Sequence, residues 1–472
     1  MQRKSLKRFF LTALVFLSLN GVISPAADAE TRRIGIIPLQ YGNLSELSPY
    51  ATGTQDALIA GLTTLPDWIV VDRSRMGEVM REHGFQQSQW ADPADQSKLG
   101  KLLGVDYLYT GSIQKSENRL RISIVELNVS TGQTRAVASV TGESREIFKL
   151  QDQLMNQILQ DQKLILDSAR QKALNDSLRP TQNPKAYDLF LKANSESEQK
   201  SYEMALSHYA EALKLDPGFG KAYHNRGNLY FEMGDFKSAL ADLDTAIKLL
   251  PNEALPYYNK ARLMEKTGQI QAAYDHYSQA IKTNPNLVEA YLNRGNILYD
   301  HKEFQLALQD YNQVILLNPT YTLAYNNRGN LYKEINQVEL ALADYKKALE
   351  LNPQLVMALY NRANLYANLQ NQTQYLPLAL ADYTLALSIQ PEFAAAYNNR
   401  GLVFAKQNQF EAAIKDYSNA IRLAPQLGVS VFLRGKAYQA LGQCELANLD
   451  YAKACEMKVN MPGVCQVTCQ TN

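Results

Sequence analysis

Ala222–Gly234 reads AYHNRGNLYFEMG and Ala324–Asn336 reads AYNNRGNLYKEIN, so an arginine recurs beside a glycine within what otherwise has the period of a helix. Tyr223, Gly227 and Tyr230 stand at i, i+4 and i+7, which places them on one helical face. Glycine inside a helix costs roughly 1 kcal/mol against alanine. Close approach of a partner helix explains its use, and Ala261 and Ala363 fill the same slot in two other copies. Working outward, proline recurs at Pro217, Pro251, Pro285, Pro319 and Pro353, each 34 residues after the last, then at Pro391 after 38 and Pro425 after 34. Alanine keeps the same register at Ala205, Ala239, Ala273, Ala307, Ala341, Ala379, Ala413 and Ala447, where a second helix begins to pack on a first. Such a period belongs to a stack of two-helix units, each covering its neighbour's apolar face.

With Ala-Tyr, Gly and Ala-x-x-Asp-Tyr-x-x-Ala at fixed offsets, the unit resembles the tetratricopeptide repeat. The resemblance covers residues 185–460 as eight units: 185–218, 219–252, 253–286, 287–320, 321–354, 355–392, 393–426 and 427–460. It implies a superhelix whose inner groove takes extended peptides or partner helices.

Arg226 lies on the edge of the packing face, so its charge needs a partner. Asp242 stands 16 residues on, in the second helix, and the spacing recurs as Arg294 with Asp310, Arg328 with Asp344, Arg400 with Asp416 and Arg434 with Asp450. Arg362 reaches Asp382 once a four-residue insertion is allowed for. In the two copies without the arginine the acid is missing too, and Lys192 faces His208 while Lys260 faces His276. Each Arg–Asp pair is expected to form a bidentate bridge between helices, a structural pin.

The asparagines are expected on the opposite face, along the groove: Asn225, Asn228, Asn259, Asn293, Asn296, Asn327, Asn330, Asn361, Asn364 and Asn399. In arrays of this kind asparagine at the groove resembles the residues that hold a peptide backbone. A merely solvated face is the alternative.

From Arg33 to about Gly142 the period changes. RIGIIPL and WIVVDR read as short buried strands separated by the helical YATGTQDALIAGLTTL, and SRMGEVMREHGF begins a helix with Ser74 as N-cap. VDYLYTGSIQ, RLRISIVELNV and TRAVASVTG read as three strands joined by short turns, with Arg119, Arg121 and Glu126 against Ile122 and Ile124 as on a half-exposed sheet. Residues 30–145 are therefore a small α/β sandwich domain, and the expected fold class is α+β and multidomain, with an all-α superhelical solenoid following. A helix of roughly thirty residues from Glu146 to Asp176 opens the connecting segment 146–184.

The string VVDRSRMGEVMREHGF with SKLGKLLGVDYLYTGSI resembles the curli-secretion-type (CsgG/FlgO-like) family, at Asp72-Arg73, Glu82, His83, Gly84, Leu99-Gly100, Gly104-Val105-Asp106-Tyr107 and Gly111-Ser112. The resemblance implies a cell-envelope protein that recruits or organises partners. The short turns leave no room for pore-building hairpins, and no lipid-bearing cysteine stands near the leader.

Arg3, Lys4, Lys7 and Arg8 precede an apolar run from Phe9 to Leu19 and a small-residue site at Ala27-Asp28-Ala29, the pattern of a cleaved signal peptide over residues 1–29. Its loss removes four basic residues and one acidic residue, turning a formal +1 into −2, a balance that speaks against nucleic-acid binding. No later run is long enough for a transmembrane helix. The five histidines show no metal spacing, and no nucleophile elbow, phosphate loop or dinucleotide fingerprint is present, so neither enzyme activity nor a cofactor is expected.

Cys444 and Cys455, eleven residues apart on one helix, stand about 16 Å apart and cannot pair. Pro462 and Gly463 let the tail 461–472 return antiparallel, which pairs Cys455 with Cys465 and Cys444 with Cys469. The whole reads as an exported scaffold of the periplasm or cell envelope, or secreted, that binds protein or peptide partners. The rival reading is an envelope assembly or secretion component that oligomerises through the N-terminal domain.

Overall fold

A computed structural model describes residues 31–42, 44–65, 67–71, 76, 77, 79, 80, 85, 92–178, 180–369, 373–458 and 464–469. The leader, Asp72-Arg73, the Ser74 cap and Glu82-His83-Gly84 lie outside them. Among the described residues there are five strands and twenty helices.

The N-terminal domain is one mixed sheet, in order β2-β1-β3-β4-β5, with helices on both faces. β1 (Arg32–Ile36) pairs parallel with β2 (Trp68–Val70) and β3 (Tyr107–Ser116); β4 (Arg119–Asn128) and β5 (Thr134–Glu143) continue antiparallel. Helix α1 (Ser48–Thr63) crosses from β1 to β2. Helix α2 (Pro93–Leu103) starts with Asp92 accepting from the Ala94 N–H at 2.8 Å and ends at Gly104, whose φ of 69° closes the helix in the left-handed region.

Two expectations fail here. Glu126 does not share the exposed face of Arg119 and Arg121: alternation puts it with Leu120, Ile122 and Ile124, under the helix-covered face, at 4% exposure. The connecting helix is not continuous either. It runs as α3 (Ile147–Asp161) and α4 (Ser168–Leu178), broken where Lys163 takes φ 55° and the Leu164 N–H donates back to the Leu159 carbonyl at 2.9 Å, a closing bond that ends a helix.

The solenoid follows as eight helix pairs: α5 (Pro184–Glu198) with α6 (Tyr202–Leu215), α7 (Gly220–Met233) with α8 (Phe236–Leu249), α9 (Ala254–Lys266) with α10 (Ile270–Thr283), α11 (Val288–Asp300) with α12 (Phe304–Leu317), α13 (Thr322–Glu334) with α14 (Val338–Leu351), α15 (Val356–Asn368) with α16 (Leu376–Ile389), α17 (Ala394–Lys406) with α18 (Phe410–Leu423), and α19 (Gly428–Ala440) with α20 (Cys444–Glu456). Glycine does serve close approach: a Cβ at Gly329 would stand 2.8 Å from Tyr345 Cε1, and one at Gly227 would stand 3.1 Å from Asp242 Cβ. Each second helix plants a fully buried alanine at that crossing, Ala239 and Ala341 among them.

The domain does not dangle from the array. Its core runs on into the first repeat, where Gly53 lies under Leu191, Ser48 Oγ meets Ser195 Oγ at 3.1 Å and the Gln151 amide donates to Tyr187 OH at 3.3 Å. A second contact falls three repeats on: Arg33 Nε donates to the Leu317 carbonyl at 3.1 Å and Asn318 Nδ2 to the Leu103 carbonyl at 3.4 Å. At the far end the tail returns onto α20 through Cys444–Cys469 and Cys455–Cys465, each with 5.0 Å between Cα atoms. There Asn448 takes both backbone groups of Cys469, at 2.8 and 3.1 Å.

Candidate partner-binding surface

Each arginine of the repeats lies along the second helix of its own unit and holds an aspartate with two parallel bonds. The distances are 2.7 and 2.9 Å for Arg226–Asp242, 2.8 and 2.7 Å for Arg294–Asp310, and 2.7 Å twice for Arg328–Asp344. Arg362–Asp382, Arg400–Asp416 and Arg434–Asp450 repeat the fork at 2.7 to 2.8 Å. All six aspartates are buried, and rings of the first helix flank the guanidinium, as Tyr223 and Tyr230 do at 5.6 and 5.9 Å from Arg226. The bond to Asp242 raises the Arg226 guanidinium above its ordinary value. A charge so enclosed and so fully partnered is spent on the fold.

A third bond escaped sequence reasoning. Nη1 of Arg294, Arg328, Arg400 and Arg434 reaches back 16 residues to Ser278, Asn312, Thr384 and Ser418 on the preceding second helix, at 2.6 to 3.1 Å. Three helices are thus tied at once. The signal was present: a short polar residue follows the buried tyrosine of each preceding second helix. Lys260, in the arginine slot, makes only this backward contact, to Asp244 at 2.6 Å, and does not face His276. Lys192 likewise bonds Asp188 at 3.2 Å while His208 meets Glu196 at 2.7 Å.

The asparagines do not stand as free amides opposite the tyrosines. Asn225 Nδ2 donates to Asn194 Oδ1 at 2.9 Å, Asn327 to Asn296 at 2.9 Å, Asn361 to Asn326 at 3.0 Å and Asn399 to Asn364 at 2.8 Å, each across a repeat boundary. Buried tyrosine hydroxyls of the second helices donate to the same oxygens: Tyr209 to Asn194, Tyr311 to Asn296, Tyr345 to Asn330 and Tyr383 to Asn364. Where the ladder changes letters it keeps its bonds. Asn259 donates to His224 Nε2 at 2.8 Å, and Asn293 to the hydroxyls of Tyr258 and Tyr277 at 3.4 and 3.3 Å. Burial, and then the nearby Lys221, push the His224 imidazole down to about 4, so it is the neutral acceptor this bond needs. Asn228 is the loose member, its 3.5 Å contact with Glu232 being on its own helix, because Leu243 stands where other units carry the tyrosine.

These amide bonds draw successive first helices together while the second helices fan out, so the array curves with its first helices inside. The inner wall is a continuous, half-buried strip of amides and aromatic rings, interrupted in the third unit by Arg262, whose guanidinium lies 5.0 Å from the Phe231 ring and 5.9 Å from that of Tyr258. Among the described residues no group of three or more histidine, cysteine, aspartate or glutamate side chains is placed to hold a metal ion, and no helix is long and apolar enough to cross a membrane.

This is the architecture of a tetratricopeptide-repeat scaffold behind a small mixed-sheet domain. The chain matches the tetratricopeptide repeat family at residues 220–253, 288–321, 322–355 and 394–427, and a related repeat profile at 193–234 and 263–302. Residues 38–141 match the curli production assembly/transport component CsgG. The chain therefore carries tetratricopeptide repeats and, ahead of them, a CsgG domain. No curated protein matches it significantly.

Among solved structures it is similar to YrrB, described as a TPR protein with an unusual peptide-binding site, at 22% identity and TM-score 0.33 over 40% of this chain and 95% of that one. It is also similar to PilW, a type IV pilus biogenesis factor, at 21% identity and TM-score 0.40 over 45% and 97%. A repeat protein from Cytophaga hutchinsonii gives 18% identity and TM-score 0.42 over 51% and 98%.

Proposed function

We propose that the chain is an exported, non-enzymatic scaffold that binds protein or peptide partners along the inner face of its array and works in assembly at the cell envelope. The observation that carries this reading is the unbroken strip formed by eight first helices, held in register by the pins and by the amide ladder. A charge spent on a pin cannot recognise a partner, so recognition falls to the strip: Asn225, Asn228, Asn259, Asn293, Asn296, Asn327, Asn330, Asn361, Asn364 and Asn399 through whatever hydrogen-bonding capacity the ladder leaves, with the rings between them. Two disulfides at the C-terminal end suit an oxidising compartment, and the CsgG domain suits the envelope.

Crosslinking capture from an envelope extract tests the reading, with the full chain set against an Asn228→Ala/Asn330→Ala variant. The expected result is a discrete partner whose recovery falls in the variant while the melting temperature holds. Equal recovery by both proteins would contradict the inner face as the binding surface.

A further inference from the structure

The sixth unit departs from the other seven twice. It carries the four-residue insertion between its helices, and its second helix, α16, has an outward face with no charge at all. Along that face Leu378 is 47% exposed, Leu385 44% and Ile389 38%, with Ala381, Thr384 and Ser388 between them. The neighbouring outer helices differ. α14 exposes Glu339, Lys346, Lys347 and Glu350, and α18 exposes Glu411, Lys415 and Arg422. Even α12, the other second helix without an exposed charge, presents Gln305, Gln309 and Asn312. An outer helix of a soluble array ordinarily wears polar groups there, and this one wears leucine.

The pattern is complementary to itself when reversed. Leu378, Ala381, Leu385 and Ser388 fall at i, i+3, i+7 and i+10, a seam two heptads long. If a second α16 is laid antiparallel about the middle of the helix, Leu378 comes opposite Ser388 and Leu385 opposite Ala381, so that every large side chain meets a small one. The absence of charge leaves nothing to forbid either copy. On the flanks the same two-fold brings Glu339 of one copy towards Arg422 of the other, while Lys346 and Lys415, long and exposed, splay into solvent. Three helices of 14 residues, each about 21 Å long and roughly 10 Å apart, offer about 600 Å² per copy, the lower end of what a specific interface buries.

We propose that the outer face of α16 is a homodimer interface, with two copies of the chain packing back to back about a two-fold axis through this helix. The inner faces of both arrays then stay open, so the dimer presents two partner grooves pointing away from each other.

Sedimentation equilibrium of the purified full chain tests this. The wild type is expected to dimerise with a Kd in the micromolar range, roughly what so small an area supports. Leu378→Glu/Leu385→Glu should weaken association at least about ten-fold with an unchanged circular-dichroism melt, because both side chains are already half in water. A charge swap guards against misfolding of that variant: Glu339→Arg alone should weaken the dimer and Glu339→Arg/Arg422→Glu should restore it. A wild type that stays monomeric at about 100 µM, or a dimer indifferent to both sets of changes, overturns the proposal.

Discussion

The repeat array and the N-terminal domain solve the same problem, a charge enclosed beside apolar surface, in opposite ways. In the array an arginine finds its aspartate 16 or 20 residues away and the solution is copied six times. In the domain, Glu126 is assembled once and from afar. Arg32 bonds it from β1, Arg135 Nε from β5 at 2.8 Å and Gln162 from beyond the end of α3 at 3.2 Å, while Asp161 takes two bonds from Arg135 at 2.8 and 2.7 Å. Arg32 is further sandwiched over Tyr107 and Trp68, 4.0 and 5.1 Å from their ring centres. A distributed solution degrades gracefully when one copy is lost; a single one does not.

The largest effect should therefore fall in the domain. Glu126→Ala leaves Arg32 and Arg135 facing each other with no carboxylate between them, and should cost about 3 to 5 kcal/mol. Calorimetry should show the domain's unfolding transition shifted far down or lost, and the array's transition retained. Arg328→Ala strands a buried Asp344 but spares five other pins, so the loss should be about 1 to 3 kcal/mol in chemical denaturation.

A smaller effect depends on pH. The folded pKa of His224 lies near 4, below its unfolded value, so its contribution to stability is complete above about pH 6.5 and is lost as pH falls towards 4. Relative to His224→Gln, the wild type should lose roughly 1 to 2 kcal/mol between about pH 7 and about pH 4.5; a difference that does not change with pH would mean the imidazole is not buried neutral. Smallest is the contrast inside the ladder. Asn327→Ala removes a bond between repeats and should cost about 1 kcal/mol, whereas Asn228→Ala, outside the ladder, should cost under about 0.5 kcal/mol.

What the sequence made legible follows the same division. Helix pairs, their period and the five strands could be read because local pattern encodes them, and so could the spacing that brings Arg226 to Asp242. The backward reach of Nη1 to Ser278 or Thr384 was not read, because it crosses a repeat boundary and needs the stacking angle. The ladder was misjudged for a related reason. Asn296 and Asn327 sit 31 residues apart, and only the curvature of the array decides that they bond each other. Glu126 was misplaced although its alternation with Ile122 and Ile124 was in plain view, since a carboxylate among isoleucines makes sense only once Arg32, 94 residues away, is known to arrive. The break at Lys163 carried no proline or glycine to announce it.

The claim at the centre of this account is that the arginines are structural pins, leaving the inner face free to recognise partners. A double-mutant cycle on Arg328 and Asp344, followed by urea denaturation of the full chain, tests it most directly. The account requires a coupling of at least about 1 kcal/mol, with Arg328→Ala costing clearly less once Asp344 is already Ala. A coupling within about 0.3 kcal/mol of zero would contradict it and return the arginines to the pool of partner-binding residues.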